Sequence, residues 1–89
     1  MPIISIFHGI TVYMFFLDNR RHKLPHIHVE DGDDEAAIAI PTGEVLEGSL
    51  RRRQMRLVQA WIEIHRDELM INWERAIGGK PVDGIEPLK

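Results

Sequence analysis

The sequence predicts an α+β fold: an antiparallel β-meander of four to five short strands packed on one long C-terminal helix, with an extended tail after it. Three observations predict it. The first half divides into short β-type runs separated by turn signals at His8-Gly9, Asp31-Gly32 and Thr42-Gly43. From Leu50 the apolar residues take a helical spacing, and no Gly or Pro interrupts before Gly78-Gly79. The chain is 89 residues long, enough for a single core, and it has no cysteine to staple one. It is read as one domain, residues 1–48 forming the meander, 49–78 the helix and 79–89 the tail.

In order, Ile3 to Phe7 is a short strand closed by a tight turn at His8-Gly9. Ile10 to Leu17 is apolar on both faces and rich in β-branched and aromatic residues, which predicts a strand covered on both sides. A polar loop follows, and Pro25 holds Leu24 extended and launches the next strand. From His26 to Glu30, alternation places Ile27 and Val29 in the core and His26, His28 and Glu30 together outside. Glu35 to Ile40 alternates too, with Ala36, Ile38 and Ile40 inward, while Ala37 and Ala39 leave room for a close approach on the other face. Glu44 to Glu47 returns as a short strand.

Ser49 is the expected helix N-cap. Val58, Trp61, Ile62, His65, Leu69, Trp73 and Ala76 form one amphipathic face, and Leu50, Leu57, Ile64 and Ile71 a second row beside it. Two rows cover more of the helix than a single sheet needs. Either another part of the chain covers the second row, or Leu57, Ile64 and Ile71 form an interface with a second protein. In the tail, Val82, Ile85 and Leu88 are set to lie back over the domain.

Composition narrows the function classes. A 44% apolar fraction describes an ordinary globular chain, and a net charge of −3 gives no global attraction to a polyanion. Without cysteine there is no thiolate nucleophile or thiolate metal site. No stretch reads as a signal peptide or a membrane span, so a cytoplasmic location is the expectation.

The candidate chemistry lies in two places. His26, His28 and Glu30 form a row that can offer a divalent metal three ligands, with His22 or His8 to complete the set, although nothing in the sequence requires a metal. Without metal, His26 and His28, helped by His22, are candidate acid–base groups for RNA cleavage, with Tyr13, Arg20 and Arg21 as phosphate partners. The plain alternative is a polar strand face. His65, on the apolar helix face, reads as a core histidine.

The second place is basic. Arg51, Arg52, Arg53 and Arg56 crowd the start of the helix, where the macrodipole disfavours cations, and Arg20 and Arg21 add a smaller group. Such a placement points either to an anionic partner or to a local ion pair between Arg51 and Glu47 or another carboxylate on the preceding strand.

Several segments together resemble a family of small bacterial proteins, domain of unknown function 4160. They are the opening Met-Pro-Ile-Ile-Ser-Ile-Phe-His-Gly-Ile, the segment His22 to Val29 ending Pro-His-Ile-His-Val, and the turn Thr42 to Gly48. Trp61 to Leu69, Asn72-Trp73-Glu74 and the closing Ile85-Glu86-Pro87-Leu88 complete the likeness, which covers essentially the whole chain. The family's usual Pro-Pro-His-Phe-His core is altered here, Leu24 replacing a Pro and Ile27 the aromatic, while His22, Pro25, His26 and His28 match. The resemblance implies a small operon-encoded protein and a toxin–antitoxin-like or regulatory pair, without an established activity. The expectation is therefore an interaction module, as a homo-oligomer or with a small operon-encoded partner, with nucleic acid as a possible ligand. The alternative is a small His-dependent ribonuclease.

Overall fold

The computed structural model describes residues 2–15 and 24–89. Five strands, β1 (Ile3–Phe7), β2 (Ile10–Tyr13), β3 (His26–Asp31), β4 (Asp34–Ala39) and β5 (Val45–Gly48), are followed by two helices, α1 (Arg52–Ile64) and α2 (Arg66–Ile77). The strands form one antiparallel sheet in chain order, β1-β2-β3-β4-β5. The expected α+β meander is present.

Turn chemistry fixes the hairpins. His8 and Gly9 both take positive φ, 48° and 80°, the geometry whose twist suits a two-residue hairpin. Asp31 pairs with Asp34, which leaves Gly32 and Asp33 as the loop, with Gly32 at φ 61°. Gly48 ends β5 at φ 75°, and a Cβ there would stand 2.2 Å from the Glu35 carbonyl oxygen, so only glycine lets β5 lie this close to β4.

Alternation puts Ile10, Val12, Ile27, Val29 and Ile38 on the face that meets Val58, Trp61, Ile62, Leu69, Trp73 and Ala76 of the helices. Leu50, Met55, Leu57, Met70 and Ile77 pack around this cluster. β2 differs from the expectation of burial on both faces: Ile10 and Val12 are buried, but Thr11 and Tyr13 are only half-buried. Among the described residues the helices pack on the Ile10 and Val12 side, and Trp73 of α2 also reaches the His26 ring. The rest of the Ile10 to Leu17 run lies outside the described residues.

The long helix is two helices. At His65 the backbone turns to φ −109°, ψ 22°, although the ladder resumes at once, the Leu69 N–H donating to the His65 carbonyl at 2.9 Å. No Gly or Pro causes this break. Asp67 and Glu68 fall in the first turn of α2, where carboxylates favour a helix start, and Glu68 pairs with the His65 ring at 2.8 Å. The expected Ser49 cap is also displaced: α1 begins after Arg51, which offers no side-chain cap.

The tail is extended and lies back on the domain. The Ile85 N–H donates to the Ile4 carbonyl at 2.8 Å, and the Trp61 indole N–H donates to the Glu86 carbonyl at 2.8 Å. Asn72 holds Asp83 twice, donating to its carbonyl at 2.8 Å and accepting from its N–H at 3.1 Å. Ile85 is buried, and Val82 and Leu88 pack against the core. No helix among the described residues is long and apolar enough to cross a membrane.

Candidate functional site

The sheet register draws one row of side chains across the face away from the helices. Tyr13 stands opposite His28, His28 opposite Ala37, and Ala37 opposite Glu47. The next row pairs Thr11 with Glu30 and Glu30 with Glu35. Phe15, just past β2, stacks parallel to Tyr13 at 6.1 Å and meets the His28 ring edge-on at 4.5 Å. Tyr13, Phe15, His28, Glu30 and Ala37 line a groove of about 300 Å³. Ala37 does leave room on this face, whereas Ala39 stands opposite the buried His26 and is itself buried.

The groove is acidic among the described residues: Glu30, Glu35 and Glu47 line it. Glu30 and Glu35 face each other directly across the strand pair, an arrangement of like charges that costs stability. The Tyr13 hydroxyl donates to Glu30 at 3.1 Å. Desolvation first, and then that hydrogen bond and the charge of Glu30, push the Tyr13 phenol above its ordinary value.

His26 is not at the surface. It is 1% exposed, with its ring 4.9 Å from Trp73 of α2 and 5.1 Å from the ring of His28. Its Nδ1 lies 2.8 Å from the Leu24 carbonyl, a hydrogen bond that orients the imidazole. Alternation along β3 groups His26 with His28, but α2 reaches the start of the strand and encloses His26. The row of two outward imidazoles and a carboxylate is thus one partly exposed imidazole, His28, with Glu30 beyond it. Among the described residues no three His, Asp or Glu side chains are placed to hold a metal ion, so His26, His28 and Glu30 are not such a group. His22, Arg20 and Arg21 lie outside the described residues.

His65 is half-buried between the helices, its ring 5.6 Å from Trp61, and takes the Glu68 carboxylate rather than sitting as a wholly enclosed core residue. Arg51 pairs with Asp31 at 3.1 Å, not with Glu47. Arg52, Arg53 and Arg56 are exposed, and among the described residues none takes an ion pair. The second apolar row divides. Leu57 packs against the core, whereas Ile64 and Ile71 are 65% and 53% exposed.

Sequence reasoning missed two parts of this arrangement. One is Phe15, whose place beside His28 follows from cross-strand register and not from periodicity. The other is the groove between the end of β5 and the start of α1, lined by Val45, Gly48, Leu50, Arg52, Met55 and Arg56, with a volume of about 460 Å³. Its basic rim was legible in the Arg51 to Arg56 cluster; its apolar floor was not.

No curated relative and no solved structure matches the chain significantly. Residues 9–74 match the family described as a domain of unknown function (DUF4160), a span that holds β2 to β5, α1 and most of α2. The chain belongs to the DUF4160 family.

Proposed function

We propose that this protein is a small interaction module, one half of a regulatory or toxin–antitoxin-like pair, that engages another protein chain through its helical layer. The observation that carries the reading is the exposure of Ile64 and Ile71, seven residues apart across the α1–α2 junction. Burying an isoleucine is worth about 1.5–3 kcal/mol. A fold that packs Leu57 from the same row yet leaves these two in water forgoes that gain, which a second protein surface would recover.

Light scattering of the purified protein, alone and with the product of an adjacent gene, tests this. A dimer or a mixed complex is expected, and Ile64→Glu with Ile71→Glu should dissociate it. A monomer that ignores its neighbour overturns the reading.

The ribonuclease alternative retains one favourable observation, His28 in a groove beside Tyr13. It has lost His26 to the interior, and among the described residues Glu30 and Glu35 stand face to face in the groove that a phosphodiester would have to enter. RNA cleavage that disappears in His28→Ala and survives in Ile64→Glu would restore it.

A further inference from the structure

We infer that the groove between β5 and α1 is the docking site for an extended, acidic segment of a partner protein, which adds to the sheet as a further strand beside β5. The inference rests on the reading of this chain as an interaction module and supplies the chemistry of what it takes.

Four observations meet at this place. β5 is the last strand in the sheet order, so among the described residues its far edge has no strand beside it, and its main-chain groups there can pair with another chain. Edge strands are ordinarily blunted by charge, yet β5 opens on Val45, 38% exposed. Val45 stands opposite Ile38, whose side chain is in the core, so Val45 lies on the helix side of the sheet and joins Leu50 and Met55 in an apolar floor. Above that floor stand Arg52 and Arg56, one helical turn apart and without an ion pair among the described residues.

The geometry selects the occupant. In an added strand alternate side chains point to the same side. Every second residue would therefore face α1, where it meets first the Leu50–Met55 floor and then the two guanidinium groups. An apolar residue flanked at two-residue spacing by carboxylates satisfies both. Two further features hold the groove in shape. The Gln59 side-chain amide donates to the Gly43 carbonyl at 2.8 Å, fastening the β4–β5 turn to α1, and Gly48 brings the end of β5 against Glu35. A polyanion such as RNA would find the charges but has no use for the apolar floor or the open strand edge.

The test is an NMR titration of the full isotope-labelled chain with a short synthetic peptide that places Asp, Leu and Asp on one strand face and Thr on the other. Saturable shifts confined to Val45–Leu50 and the first two turns of α1 are expected. Affinity should fall with salt, and by about tenfold or more in Arg52→Glu/Arg56→Glu. That variant removes cations from a helix start, so its melting temperature should hold or rise, and lost binding cannot be ascribed to unfolding. A peptide with Lys for Asp should not bind. The inference is overturned by absence of binding, by shifts elsewhere on the molecule, by equal affinity in the double variant, or by a single-stranded RNA oligonucleotide or inorganic phosphate occupying the same residues more tightly than the peptide. Failure of the peptide alone leaves Ile64 and Ile71 as the partner surface, whereas a monomer that still binds the peptide retires that surface and keeps the groove.

Discussion

His26 and His28 are two positions apart and chemically identical, yet the fold uses them differently. His26 is enclosed between Trp73 and its neighbour, and its Nδ1 is committed to the Leu24 carbonyl; His28 faces a groove. His26→Ala is expected to lose roughly 2–4 kcal/mol in urea unfolding through the void it leaves and the lost bond. His28→Ala should cost much less, and equal losses would contradict the assignment. Tyr13 offers a second test at this scale because it is the only tyrosine in the chain. Its phenol is raised above the ordinary value of 10.0, so the folded state holds the proton more tightly than the unfolded chain. The resulting stabilisation is complete below pH 10 and is lost as pH climbs through the raised value. Spectrophotometric titration should show phenolate forming above pH 10, and Glu30→Gln should move the midpoint part of the way back, leaving the desolvation component.

Individual elements show how far periodicity reaches. Ile3–Phe7 and the strand containing His26 to Glu30 were legible because alternation and turn residues are local properties. The helix break was not read, since the usual signals, Gly and Pro, are absent; its trace in the sequence is the Asp67-Glu68 pair, an N-terminal signature set inside an otherwise continuous helical pattern. His26 was placed on the correct strand but on the wrong side of the solvent boundary, because alternation says nothing of which other element stands opposite. The start of α1 carries the reverse of the expected charge, with no acidic residue in its first turn. Arg51 is compensated by Asp31, while Arg53 is exposed and opposes the macrodipole. Arg53→Glu is therefore expected to raise stability by about 0.5–1 kcal/mol, read as a higher denaturant midpoint with unchanged slope. An unchanged or lower midpoint would show that Arg53 is compensated by contacts of its own.

Over the whole molecule, one layer of helix and one of sheet leave two outer surfaces with opposite character. Among the described residues, Glu30 and Glu35 stand on the sheet's far face, and Arg52 and Arg56 stand at the β5–α1 edge. The net charge of −3 conceals the arginine cluster, which is why composition alone gave no global attraction to a polyanion. The tail completes the domain. Asn72 is buried and satisfies both main-chain groups of Asp83, and Arg75 adds an exposed pair to the Asp83 carboxylate at 2.7 Å. Asn72→Ala should cost about 1–3 kcal/mol by leaving those groups unmet, whereas Arg75→Ala should cost well under 1 kcal/mol.

The bond from Ile85 to Ile4 joins positions near opposite ends of the sequence, in a fold whose strands otherwise pair only with their neighbours in the chain. Hairpins between adjacent strands close short loops and form early, but this contact must wait for nearly the whole polypeptide to be ordered. The tail is therefore expected to settle last and to leave first. Stopped-flow measurements on Asn72→Ala should find refolding as fast as in the parent protein and unfolding accelerated by the full loss of stability. The residence time of the native state would then be set at the latch between the first strand and the tail, and not in the hydrophobic layer that gives the fold its shape.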